Sequence, residues 1–458
     1  MIPLTLEQLA DIVGGDLLDP ADGHRRVDAV TIDSRTATDG AVFVALPGEH
    51  ADGHDFLVDA ANRGAAGALV ADDRQVDHVP GLIAVDDPAD ALLGLGAWVR
   101  TTVDPTVVAI TGSVGKTTTK DLCAAAVGAG RVVVANLGSY NNDLGVPLTL
   151  CRLALDSEVL VAEVGSRGRG HIAALSPVLV PDIAVVTTVG ATHLETFGTV
   201  EVVQAAKQEL VESLGSDGTA VLNADDRRVA AMAGAAPGRV VTYGHAEGAD
   251  WQAVDVVLDD DARARFRVRG VAVHLPVPGE HMVGNALAAL AVADLCGVAL
   301  PAAVAGLETA AVSRWRMELH RSATGVTVLN DAYNASPASM DAALKTLAAL
   351  HTEGRRWAVL GRMAELGPDA AAAHDRVGRL CIRLGVEGLV VVGEEARGIR
   401  DAADQEGFYG RGDLYFVPDA DAAVAVLADR LGPGDVVLVK ASRVAGLERV
   451  AAALAGIP

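Results

Sequence analysis

A chain of 458 residues is too long for one hydrophobic core and points to two to four domains of roughly 100 to 200 residues each. Half of it is apolar while aromatics supply only 3%, a composition that suits helices packed on parallel sheets rather than a disordered or fibrous chain. The formal charge of −23 repels nucleic acid and anionic membrane surfaces from most of the exterior, so an anionic ligand must be met by local positive groups.

The opening MIPLTLEQLADIVGG has neither the basic start nor the apolar run of a secretory signal and reads as a capped helix, so a cytoplasmic protein is expected. Up to residue 103, short strands (Val27 to Ile32, Ala41 to Ala45, Gly67 to Val70) mix with Ala-rich helical stretches. Asp104-Pro105 breaks the chain ahead of the apolar strand Val107 to Ile110. A regular β-then-α alternation follows to about residue 312, with strands at Arg131 to Ala135, Val159 to Val164, Ile183 to Thr187 and Thr219 to Leu222. Continuous Val/Ile/Leu runs of this kind mean strands buried on both faces of a mostly parallel sheet.

The most apolar stretch, Leu295 to Leu307, is bounded by Asp294 and Glu308 and interrupted by Gly297 and Pro301, too short for membrane insertion. From Ser313 a third set begins, with strands at Val326 to Leu329, Trp357 to Leu360, Leu389 to Val392, Leu414 to Val417 and Val436 to Val439. The expected fold is therefore α/β in three domains: a small α/β module over 1–103, a P-loop domain with a mostly parallel sheet over 104–312, and a Rossmann-like doubly wound domain over 313–458. Cys123, Cys151, Cys296 and Cys381 lie far apart without a Cys-x-x-Cys pair, which favours reduced, buried thiols over a zinc ribbon or disulfides.

Chemistry concentrates in TGSVGKTTTK, Thr111 to Lys120. The strict P-loop requires a glycine five residues ahead of Gly115, where this chain has Ile110. The segment nevertheless follows a strand and opens a helix, as a phosphate cradle must: backbone N–H groups, the helix N-terminus and Lys116 converge on phosphate, and the Thr117 hydroxyl can reach Mg²⁺. Glu163 closes the strand EVLVAEVG and His193 sits in the loop after DIAVVTTV, both at the carboxyl edge of a parallel sheet where ligands bind. Each by itself reads equally well as a satisfied structural acid and a loop histidine. Lys207 lies on an acidic and apolar helix and, by its neighbours alone, is a solvated lysine paired with Glu201, Glu209 or Glu212.

Taken together these motifs resemble the Mur ligase family, whose phosphate loop has the short TGSxGKTT form. The resemblance spans nearly the whole chain and falls in the branch that joins D-alanyl-D-alanine to UDP-N-acetylmuramoyl-tripeptide. DSRTATDGAVFVALPGEHADGHDF is similar to the family's uridine-nucleotide-binding domain and points to Ser34 and Arg35; SYNNDLGVPLTL points to Asn141 and Asn142. The resemblance implies ATP held by Gly112, Ser113, Val114, Gly115, Lys116, Thr117, Thr118, Asn285, Arg316, Asp331 and Asn334. It implies Mg²⁺ held by Thr117, Glu163, His193 and a carbamylated Lys207, with Lys116, His193, Lys207 and Asn142 serving catalysis and Ser34, Arg35, Asn141 and Asn142 binding substrate. The implied reaction is amide formation through an acyl phosphate, by a monomer with no nucleic-acid partner.

Three positions depart from the family pattern. Asn330 replaces an Asp and leaves Asp331 as the carboxylate for the ribose, Arg362 stands where an Asp is usual, and Ala441 stands for Gly. The alternatives are a sister ligase adding the third peptide residue, a folylpolyglutamate synthase, or a nucleotide-binding switch without catalysis. The first is disfavoured because no Asp-Asn-Pro-Arg string occurs; a GTPase is disfavoured because NADD at Asn223 to Asp226 lacks the lysine of the guanine motif.

Overall fold

The computed structural model describes residues 1–48, 51–71, 79–408 and 413–456; Glu49 and His50 of the uridine-like stretch fall outside the described residues. At the N-terminus the Thr5 hydroxyl accepts the N–H of Gln8 while the Gln8 side chain accepts that of Thr5, so the helix Leu6–Val13 starts on a reciprocal cap and stops at Gly14 with φ 65°. A five-stranded sheet follows in the order Asp16–Leu17, Leu82–Ala84, Gly67–Val70, Ala41–Val44 and Ala29–Thr31, the last four parallel.

The helix Pro88–Val103 packs against this sheet and against the central helices Gly145–Leu150 and His171–Leu179. Its Leu92, Leu95 and Val99 are fully buried in one core with Val107, Ala109 and Leu160, which ties the first domain to the second. It ends at Asp104, in the left-handed region at φ 52°.

The central sheet has seven parallel strands in the order Trp251–Gln252, Arg239–Gly244, Thr219–Asn223, Ile183–Val186, Thr106–Thr111, Val159–Glu163 and Val133–Ala135. From Thr106–Thr111 the chain first fills one side of the sheet and then the other. The reversal lies beside that strand, so connections diverge at its carboxyl end and open a crevice there.

A third sheet carries Glu318–Arg321 as an antiparallel edge, then Thr327–Asn330, Val436–Lys440, Arg356–Leu360, Gly388–Val392 and Leu414–Val417 in parallel. The five parallel strands of this last domain match the expected positions to within a residue or so, while its edge Glu318–Arg321 and the central strands Arg239–Gly244 and Trp251–Gln252 lie outside the expected set. No helix among the described residues is long and apolar enough to cross a membrane.

Two further features depart from the expected elements. Val27 to Ile32 is not one strand: Arg26–Val27 pairs antiparallel with Leu4–Thr5, and after Asp28 the chain enters the parallel sheet as Ala29–Thr31. More substantially, an antiparallel meander of Val254–Leu258, Arg263–Val268 and Val271–Pro278 follows the parallel strands. In RARFRV the buried residues Ala264, Phe266 and Val268 alternate with arginines, because only one face is covered. A search for continuous apolar runs passes over such a strand.

Candidate active site

A cleft of about 880 Å³ runs between the three domains, with Ile32 from the first, Lys116, Glu163 and Lys207 from the second, and Arg316 and Lys440 from the third along its walls. The phosphate-loop segment forms its base. Gly112, at φ 150°, passes so close to the neighbouring strand end that a Cβ there would stand 1.9 Å from Thr187 Oγ1; Gly115, at φ 90°, would place one 2.8 Å from Asn285 Oδ1. Only glycine admits this approach.

Thr187 and Thr188 lock the loop. Thr188 accepts the N–H of Ser113 on its carbonyl at 2.8 Å and that of Val114 on its hydroxyl at 3.0 Å, while Thr187 Oγ1 donates to the Val114 carbonyl at 2.6 Å. The amides of Ser113 and Val114 are thus used within the loop. The N–H groups that open the helix Lys116–Gly128 are those with no carbonyl a turn upstream, and they remain suited to an anion.

Lys116 Nζ donates to the carbonyl of Gly112 at 2.7 Å. Desolvation holds its pKa below the usual lysine value, the carboxylate of Glu163 opposes this, and Arg316 reinforces it. Thr117 Oγ1 is 3.3 Å from Ser139 Oγ, and Thr119 Oγ1 donates to Asn285 Oδ1 at 3.2 Å, which fixes Asn285 against the loop.

Glu163 is 1% exposed at the end of its strand. Its N–H donates to Asn136 Oδ1 at 2.6 Å and its Oε1 accepts from Asn141 Nδ2 at 2.5 Å. Its Oε2 is buried with no hydrogen-bond partner. A buried carboxylate oxygen without a donor is costly unless a cation completes it, so the residues fit a divalent ion. Among the described residues no group of three His, Cys, Asp or Glu side chains is gathered for a metal. An ion here would need phosphate or water oxygens besides Glu163, as Mg²⁺ usually does.

His193 sits at φ 53° ahead of the short helix Leu194–Phe197, and its Nδ1 contacts a carboxylate oxygen of Glu365 from the third domain. Desolvation lowers its pKa, Glu365 opposes that, and the nearby lysines add to the lowering. The reading of Lys207 as a solvated, paired lysine is overturned. Its side chain is buried, Nζ donates to Ser166 Oγ at 2.8 Å and lies 5.7 Å from the Phe197 ring centre. The carboxylates named as partners are engaged elsewhere: Glu201 by Arg228, Glu209 by the N–H groups of Gly170 and Ala173, and Glu212 by Gln208. Desolvation, reinforced by Lys116, pushes the Lys207 pKa down to about 7.

On the third domain Arg316 stacks on Tyr333 with 4.1 Å from its guanidinium carbon to the ring centre, and Nη2 donates to Ser139 Oγ at 3.2 Å. Asn334 and Asp331 line the same wall. Lys440, Ser139, Tyr333 and Glu365 also line the cleft, although the resemblance singles out none of them as a site residue. The signal for Lys440 lies in VVLVK, a lysine closing an otherwise apolar strand.

Other expected site residues make local contacts. Asn142, on the cleft wall, accepts the N–H of Gly145 on its Oδ1 at 2.9 Å, and its neighbour Asn141 holds the carboxylate of Glu163. Ser34 donates to Asp59 and Arg35 forks onto Asp33, both in a 3₁₀ turn that does not line the cleft. Arg362 pairs with Glu395 at 2.9 Å and also stays off the cleft wall. Ala441 is fully buried, and a Cβ on Gly361 would come within 2.8 Å of its methyl, so the alanine fits because residue 361 is a glycine.

A phosphate-loop sheet domain flanked by a small α/β domain and a doubly wound domain, with a cleft walled by all three, defines a class of ligase. The models of the Mur ligase family, catalytic domain, of the Mur ligase middle domain and of the Mur ligase, glutamate ligase domain match residues 26–100, 110–293 and 315–443 in turn, and the chain belongs to the Mur ligase family. Within it, the chain is 44% identical to the UDP-N-acetylmuramoyl-tripeptide--D-alanyl-D-alanine ligase of Mycobacterium tuberculosis, with 99% of this chain and 98% of the relative covered. It is 37% identical to the enzyme of that name from Escherichia coli, over 99% of each chain. Its fold superposes on the crystal structure of MurF from Acinetobacter baumannii with a TM-score of 0.86 at 30% identity over 99% of both chains. The MurF ligase from Thermotoga maritima, solved in complex with ADP, gives 0.80 at 28% identity, covering 94% of this chain and 97% of that one.

Proposed function

We propose that the protein joins the amine of D-alanyl-D-alanine to the terminal carboxyl of UDP-N-acetylmuramoyl-tripeptide at the expense of ATP. The observation that carries this reading is the cleft itself: Lys116 on a phosphate-loop helix shares it with the buried Glu163 and with Arg316 and Asp331 of another domain. Full-length similarity to ligases of that specificity supports it. We take 1–103, 104–312 and 313–458 as the units that hold the uridine nucleotide, the ATP and the incoming dipeptide.

A carboxylate resists attack by an amine because its leaving group would be oxide. Transfer of the γ-phosphoryl group from ATP to a carboxylate oxygen releases ADP and makes an acyl phosphate. The amine then attacks the carbonyl carbon, a proton leaves the nitrogen, and the C–O bond to phosphate breaks. Lys116, the N–H groups at the start of Lys116–Gly128 and Arg316 would offset charge on the transferring group, which is positioning and electrostatics rather than covalent catalysis.

Thr117, Glu163, His193 and Lys207 would hold Mg²⁺, and the ion supplies charge neutralisation between the phosphates. Lys207 as an ammonium would repel a cation; as a carbamate it presents two carboxylate-like oxygens, and its burial with a pKa near 7 supplies the neutral amine that reacts with CO₂. Asp331 and Asn334 would face the ribose and Asn285 the adenine. Ser34 and Arg35 would act with the rest of the first domain on the uridine nucleotide, away from the reacting atoms.

The test is phosphate release with ATP, UDP-tripeptide and D-Ala-D-Ala, each omitted in turn, with the product identified by mass. Turnover only when all three are present is expected; release that ignores the dipeptide would rule the reading out.

A further inference from the structure

Two non-glycine residues in the left-handed region meet where the third domain touches the second: His193 at φ 53° and Glu365 at φ 62°. Glu365 belongs to the loop that follows the strand Arg356–Leu360. Its Oε2 contacts His193 Nδ1, and its carbonyl accepts the N–H of Glu195 at 3.3 Å. Gly367, at φ 55°, lies in the same loop, and a Cβ there would be in ordinary contact with Glu195 Cα at 3.4 Å. Side chain and backbone of one loop therefore grip both sides of the His193 turn. Backbones in this region persist only where the surroundings hold them, and here each strained residue is held by the other domain.

A carboxylate at Nδ1 selects the tautomer with the proton on Nδ1 and leaves the Nε2 lone pair free, the form in which an imidazole ligates a metal. We infer that Glu365 is the positioning residue for His193: it fixes the ring's tautomer and orientation from the third domain, so the imidazole is set for an ion only when that domain's loop is seated on the second. This rests on the ligase reading, in which His193 is one of the Mg²⁺ ligands. It gives the loop Gly361–Gly367 a role separate from recognition of the dipeptide.

The experiment uses the full chain with ¹⁵N-labelled histidine, His193→Gln to assign the ring signals, and two variants, Glu365→Ala and Glu365→Gln. In the unsubstituted protein His193 should be found as the Nδ1–H tautomer. Glu365→Ala should release it toward the Nε2–H form and raise the Mg²⁺ concentration for half-maximal phosphate release by roughly 10- to 100-fold, the usual effect of losing a group that orients a ligand. Glu365→Gln, which keeps a neutral acceptor, should preserve the tautomer and lose less. An unchanged tautomer together with an unchanged Mg²⁺ dependence in Glu365→Ala overturns the inference, even if thermal stability falls, since a merely structural contact predicts that pattern. Absence of dipeptide-dependent phosphate release in the unsubstituted protein would instead sink the ligase reading, and the tautomer would still report on Glu365.

Discussion

Lys440 Nζ lies 2.5 Å from Asp331 Oδ2 and donates to the carbonyl of Asn334 at 2.8 Å, with the lysine side chain 2% exposed. The other Asp331 oxygen accepts the N–H of Met317 at 3.2 Å. The carboxylate proposed to meet the ribose is thus oriented before any ligand arrives, by a cation that closes the strand Val436–Lys440. Asn330, which replaces the first acid of the family's pair, uses its side-chain oxygen to accept the N–H of Ala332 and does not compete for that lysine.

Removing Lys440 should leave Asp331, a partly buried carboxylate on the cleft wall, without its cation. Lys440→Ala is expected to cost about 1 to 3 kcal/mol of stability, and the double variant with Asp331→Asn distinctly less, because it removes both charges. Urea denaturation of the three proteins measures this. A single-variant loss below about 1 kcal/mol would mean that water reaches the pair freely.

Lys116→Ala should abolish turnover. A contribution of about 4 kcal/mol to the transition state corresponds to roughly three orders of magnitude in rate. Steady-state kinetics with nucleotide titration tests the assignment, and near-normal activity with near-normal ATP affinity would contradict it.

Gly112→Ala should damage the loop before any nucleotide binds. The new methyl would meet Thr187 Oγ1 at 1.9 Å, and the backbone at φ 150° is itself unfavourable for alanine by about 1 to 3 kcal/mol. The melting temperature should fall and nucleotide affinity with it. Adding Thr187→Ala should not restore either, since that hydroxyl also holds the Val114 carbonyl; full rescue would show that the clash alone mattered and the backbone conformation did not.

Lys207 makes the protein sensitive to pH and CO₂. Its folded pKa is about 7 against 10.5 for an ordinary lysine, so between those values the unfolded chain binds the extra proton. For the unmodified lysine, this term therefore raises stability as pH increases through that window, and the full penalty applies below about pH 7. The neutral amine is also the form that takes up CO₂, so at equal dissolved CO₂ the depleted enzyme should regain activity faster at pH 8 than at pH 6. Lys207→Ala should lose most activity and recover part of it with formate or acetate. Indifference to bicarbonate at both pH values would leave Lys207 a plain buried lysine.

The phosphate loop, the strand ends that carry Glu163 and His193, and the parallel sheets of the second and third domains were legible from residue order, because each depends on local pattern: an apolar run, a Gly-rich turn, a helix start. The antiparallel meander after Gly244 was not, since a half-exposed strand such as RARFRV carries few apolar residues and its pairing depends on neighbours. Burial of Lys207 could not be read either. The nearby glutamates on its helix look like partners in one dimension, and only packing sends them to Arg228, Gln208 and the N–H groups of another helix. That Asn141 meets Glu163 depends on which side of the loop faces the strand end, which residue order does not show. Lys440 on Asp331 and Glu365 on His193 join residues about a hundred or more positions apart, and such pairings exist only once sheet order and domain docking have brought the strand ends together.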